Sequence, residues 1–130
     1  GCDVNQATKN GATPAFISAH KGQTAALETL VEAGCDANQA NEHGASPAYV
    51  AAQEGHTAAL DVLVEAGCDV NKATSDGRTP AYVAAERSQT AALEVLVKAL
   101  GCDVNQAAKS GATPAHVAAL GGHTAALELL

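Results

Sequence analysis

Residues 111–130 read "GATPAHVAALGGHTAALELL". The same sentence stands at 11–30 as "GATPAFISAHKGQTAALETL", at 44–63 as "GASPAYVAAQEGHTAALDVL" and at 77–96 as "GRTPAYVAAERSQTAALEVL". Ahead of each copy lies a second shared phrase: "GCDVNQA" from Gly1, "GCDANQA" from Gly34, "GCDVNKA" from Gly67 and "GCDVNQA" from Gly101. Cutting at each Gly-Cys divides the chain into units 1–33, 34–66, 67–100 and 101–130, the last one shorter. Self-similarity at a fixed period of this size marks a repeat array, in which each unit is one supersecondary element. No linker or low-complexity segment interrupts it.

Within a unit the local signals agree. Thr13, Ser46, Thr79 and Thr113 each precede a proline, the pairing of an N-cap with a first helical residue. Thr24, Thr57, Thr90 and Thr124 are predicted to cap a second helix in the same way. Gly22 and Gly55 fall where the first helix should stop, and Gly34, Gly67 and Gly101 where the second should. The stretch "DVNQATKNGAT" between helices is dense in turn formers. In the second helix Leu27, Leu30 and Val31 return as Leu60, Leu63, Val64 and as Leu93, Leu96, Val97, at the i, i+3, i+4 spacing of one face. A helix pair this short cannot bury that face alone, so neighbouring pairs must stack into an all-α solenoid.

The repeated Thr-Pro, Ala-Ala, Gly-His and Asp-Val-Asn elements resemble the ankyrin repeat, in register, over all 130 residues. The resemblance implies stacked helix-turn-helix units joined by β-turn loops. It also implies a concave surface of turn tips and first helices, with the second helices on the back. This chain departs from the family where Leu after Thr-Pro becomes Ala15, Ala48, Ala81 and Ala115, and where Ala26, Ala59, Ala92 and Ala126 stand in the second helix. A Leu-to-Ala change in a fixed core costs about 2–5 kcal/mol, and repeated four times that would exceed an ordinary domain's stability of roughly 5–15 kcal/mol. The helices of a pair are therefore expected to lie closer together than in a Leu-rich array, with Phe16, Tyr49 and Tyr82 filling part of the gap. A Leu-restored variant melting well above this chain would support underpacking. The third unit is irregular: Ser88 replaces the helix-stopping glycine, at a cost of roughly 1 kcal/mol for a left-handed serine, and Leu100 is an extra residue. Both single out its junction with the fourth unit as a place for a bend.

The net charge of −7 and a charged fraction of 16% argue against a nucleic-acid partner and against an anionic membrane surface. No stretch reaches the roughly 20 apolar residues of a bilayer span, no leader pattern precedes Gly1, and no N-x-[ST] acceptor occurs. A cytoplasmic or nuclear location is expected. Cys2, Cys35, Cys68 and Cys102 recur once per unit. Stacked equivalents stand about 8–10 Å apart, beyond the roughly 7 Å limit for a disulfide, and no C-x₂₋₄-C pair suggests zinc. They read as small apolar packing residues. His56, His116 and His123 occupy positions where the family uses imidazole as a structural hydrogen-bond partner, and no histidine has an orienting carboxylate and nucleophile at a recognisable spacing. No catalytic residue, metal site or cofactor is expected.

Assigned to faces by the resemblance, the charges separate. Lys9, Lys21, Arg78, Arg87 and Lys109 face Glu42, Glu54, Asp76 and Glu86 on the concave side, net +1. The back, with Glu28, Glu32, Asp61, Glu65, Glu94 and Glu128 against Lys98, carries −5, and the loops carry the rest. Variation between units collects on the concave side: Lys9, Asn10 and Ala12; Glu42 and His43; Ser75, Asp76 and Arg78; Lys109 and Ser110 at the tips; and His20-Lys21, Gln53-Glu54, Glu86-Arg87 and Leu120 on the first helices. Such a surface is expected to bind a protein or peptide partner. Two other readings stay open. One is a structural spacer self-associating end to end through Leu127, Leu129 and Leu130; the other is an engineered scaffold without a natural partner. The resemblance further implies Asn38 and Asn71 as hydroxylation candidates.

Overall fold

The computed structural model describes residues 3–130, so Cys2 lies outside the described residues. Eight helices follow one another as four pairs: α1 (Pro14–Lys21) with α2 (Thr24–Glu32), α3 (Pro47–Glu54) with α4 (Thr57–Glu65), α5 (Pro80–Glu86) with α6 (Thr90–Lys98), and α7 (Pro114–Leu120) with α8 (Thr124–Leu129). There is no strand among the described residues. The odd-numbered helices stack as an inner layer and the even-numbered ones as an outer layer, each helix touching its own partner and its equivalents in adjacent pairs.

Each inner helix starts as its sequence demands. Thr13, Ser46, Thr79 and Thr113 sit in extended backbone, and their side-chain oxygens accept from the N–H of Phe16, Tyr49, Tyr82 and His116, with proline next in each case. His116 completes a capping box, its Nδ1 accepting from the Thr113 N–H at 3.0 Å. The outer helices differ from expectation. Thr24, Thr57, Thr90 and Thr124 are the first helical residues, and the N-caps are Gln23, His56, Gln89 and His123, without a side-chain cap bond. Two of those cap residues use their side chains to bridge units instead. Gln89 Nε2 donates to the Gln53 carbonyl at 3.0 Å and His123 Nε2 pairs with the Glu86 carbonyl at 3.1 Å. A carbonyl only accepts, so His123 carries its proton on Nε2.

The core is a seam of small and branched residues. Leu27, Leu60, Leu63, Leu93 and Leu96 are fully buried, and Ala48, Ala51, Ala52, Ala81, Ala84 and Ala85 pack between the inner helices with almost no exposed surface. Phe16, Tyr49 and Tyr82 are buried where the family pattern prefers histidine. Ala115 and His116, at the equivalent flank of the last pair, are exposed.

Two ladders fix the spacing of the pairs. In each connecting loop an aspartate side chain accepts from the N–H two residues on (Asp36 from Asn38, Asp69 from Asn71) at 2.9 and 3.0 Å. The asparagine then reaches across: Asn5, Asn38 and Asn71 Oδ1 accept from the N–H of Asp36, Asp69 and Asp103, each at 2.7 Å. Both hydroxylation candidates, Asn38 and Asn71, therefore have their side chains engaged in the ladder. Leu100 does not lengthen α6, which has the nine residues of α2 and α4. The loop takes up the extra residue with Leu100 fully exposed, and Asn71 adds a bond from Nδ2 to the Gly101 carbonyl at 2.7 Å. The ladder is in register again at Asp103.

Candidate partner-binding surface

The turn tips form the second ladder. Each tip is a tight turn closed on itself, as where Asn41 N–H donates to the Ala45 carbonyl at 3.0 Å and Gly44 N–H to the Asn41 carbonyl at 3.0 Å. Successive tips are tied by Glu42 N–H to Asn10, Ser75 N–H to His43 and Lys109 N–H to Asp76 carbonyls, at 2.9, 3.0 and 2.9 Å. This approach leaves no room for a side chain at the turn. Gly44 has φ +78°, and a Cβ there would lie 2.9 Å from the Ser75 nitrogen. The backbone is pinned, while the residues between the pins point outward.

Those outward residues are the ones the sequence singles out. Lys9, Asn10, Glu42, His43, Ser75, Asp76, Lys109 and Ser110 are exposed along the tips, and His20, Lys21, Glu54, Arg87 and Leu120 at the ends of the inner helices. Ala12, Gln53, Arg78 and Glu86 are half-buried. The acidic residues of the back, Glu28, Glu32, Asp61, Glu65, Glu94 and Glu128, are all exposed, with Lys98 reaching Glu94 at 3.5 Å.

A cleft between the turn tips and the inner helices gathers residues from the first three units, among them Phe16, His20, His43, Tyr49, Gln53, Asp76 and Arg78. His20 Nε2 stands 3.5 Å from Glu54 and His43 Nε2 3.3 Å from Glu42. Arg78 is the centre of charge. Its guanidinium lies over the Tyr82 ring, 5.5 Å from the centroid, with Glu86 at 3.9 Å. Burial pushes the Tyr49 hydroxyl's pKa up, partly offset by Arg78 beside it. For Arg78, burial works against the charge, but Glu86 and Tyr49 outweigh it and the net direction is up.

Lys9, Asn10, Lys21, Lys109, Ser110 and Leu120 lie outside this cleft. Sequence reasoning missed its aromatic wall of Phe16 and Tyr49, and the Tyr82 ring under Arg78, treating all three as gap fillers only. The signal was present: Arg78 and Tyr82 are four apart at a helix start, and a guanidinium there reaches the ring one turn on.

The thiols are structural in character. Cys35, Cys68 and Cys102 are free and half-buried, packed against the core edge. Burial and the following aspartate push all three up, Cys68 to about 11, which keeps them as unreactive neutral thiols at physiological pH. Among the described residues, no group of three or more His, Cys, Asp or Glu side chains is placed to hold a metal ion, and no helix is long and apolar enough to cross a membrane.

No curated protein matches the sequence. The family model described as "Ankyrin repeats (3 copies)" matches residues 1–74 and again 68–130. With capped helix pairs stacked at that period and tips tied side by side, the chain belongs to the ankyrin-repeat family.

Proposed function

We propose that this chain is a non-enzymatic binding module whose concave row of turn tips and inner-helix ends holds a protein or peptide partner. Ankyrin repeats generally mediate protein–protein interaction; the assignment of the face is the finer step. One observation carries it: side chains that differ between units collect at the turn tips, whose backbones are tied to one another from unit to unit. A fixed backbone under variable side chains presents contacts with little ordering cost on binding. Affinity then comes from several modest contacts across units rather than from one pocket.

The test compares two surface variants as capture baits. One replaces Lys9, His43, Arg78 and Arg87 by Ala; the other replaces Glu28, Glu65 and Glu94 by Gln. The concave variant should lose the partner that the intact chain retains, and the back variant should keep it. A partner held equally by the concave variant would reject this face.

A further inference from the structure

We infer that Arg78, set against Tyr49 and Tyr82, receives a side-chain carboxylate, from Asp or Glu, of an extended peptide segment lying in the concave cleft; this rests on the concave-face reading above. The position is singular in the repeat. Ala12, Ala45 and Ala112 occupy it in the other units, so only the third unit places a charge there. The guanidinium has five N–H donors in a rigid fork. Its nearest carboxylate, Glu86, is 3.9 Å away, beyond hydrogen-bond reach, and the side chain is 42% exposed. Tyr49 engages part of that fork, and with no carboxylate within hydrogen-bond distance the remaining donors, over the Tyr82 ring, suit an incoming carboxylate.

The surroundings define the rest of the ligand. The cleft is lined by residues of three successive units, such as His20, Gln53 and Arg78. Units stacked about 10 Å apart give a run of roughly 20 Å, the length of about six extended residues. Asp76 is the one carboxylate lining the cleft, and it disfavours a second acid beside the first. The segment is therefore read as one acidic residue flanked by neutral or basic ones. Arg78 thus adds one charge-assisted contact to the several modest ones that the broad, shallow seat makes across units.

The probe is a library of random twelve-residue peptides displayed on phage, selected in parallel on the intact chain, Arg78→Ala and Arg78→Lys. Alanine is the repeat's own residue at this position, so R78A keeps the fold. The intact chain should enrich peptides sharing an Asp or Glu at one fixed place. Changing that acid to its amide in the synthetic peptide should weaken binding about tenfold or more. R78A should weaken the parent peptide by the same factor and add nothing to the amide's loss; R78K should not restore it, because lysine lacks the fork. Enriched peptides that bind the concave face without a fixed acid, or an acid whose loss matters equally in R78A, would overturn this inference and leave the concave-face reading standing. No enrichment on the intact chain would remove both.

Discussion

The second and third units make the most instructive pair in the molecule. Both carry a proline-led inner helix with a buried tyrosine, a buried leucine pair in the outer helix, and tip and loop bonds of nearly equal length. Yet where the second has Ala45, Gly55 and a direct Ala-Gly exit, the third has Arg78, Ser88 and the inserted Leu100. Ser88 keeps the left-handed conformation, φ 56° against 72° at Gly55, although no other non-glycine residue described does so. The backbone geometry is thus imposed by the stack and not chosen locally. What the array holds constant is hydrogen-bond register; what it leaves free is the chemistry of the tips and the comfort of individual turns.

That division is broken most severely in the seam. Leu63→Ala should destabilise the chain by about 2–5 kcal/mol, because a fully buried leucine cannot be replaced by collapse between two neighbours. Leu127→Ala, at a site 38% exposed, should cost less than half as much. Equal shifts in urea midpoint would mean that the units do not share one core. The tips come next. Gly44→Ala meets both a positive φ and the Ser75 nitrogen, whereas Gly111→Ala at φ +87° has nothing within 4 Å. The first should cost about 2–4 kcal/mol and the second about 1–2 kcal/mol, the latter being backbone strain alone. Matching losses would show that the tip-to-tip bonds are not what excludes a side chain.

Ser88→Gly runs the other way. Glycine removes the left-handed penalty but adds unfolded-chain entropy, so the net gain should be about 0.5–1 kcal/mol, read as a higher urea midpoint. A loss would mean that the serine side chain has a role the geometry does not reveal.

Much of this organisation could be read from the chain itself. The period, the proline-led inner helices, the leucine seam and the exposed variable residues all follow from spacing and side-chain size. The outer-helix caps did not, because Thr24 and its equivalents look like caps, while the preceding Gln or His is the residue whose side chain can span to the unit before. A one-dimensional pattern cannot tell a side chain that closes its own helix from one that closes a neighbour's. The cleft was half legible for a similar reason. Arg78 stands out as a departure from the repeat, but the tyrosine of the previous unit that flanks it is set by stacking order. Ala26 shows the limit again: it shares its position with Ala59, Ala92 and Ala126, yet it alone is exposed.

The smallest effect contrasts the cysteines with the polar loops that carry them. Cys68 precedes Asp69, which holds the turn, and the buried Val70, and burial first, then Asp69, raises its thiol from an ordinary 9.0 to about 11. The neutral thiol is the form the fold prefers. Its contribution to stability is thus fully present below the unfolded value near 9.0 and is lost as pH climbs towards about 11, where the unfolded chain has already given up the proton. Iodoacetamide at pH 8 should modify Cys68 far more slowly than a free thiol, with the rate rising steeply through that alkaline window. Modification at the rate of an unfolded control at pH 8 would show that the loop opens freely, and that the asparagine ladder beside it does not hold the units in register.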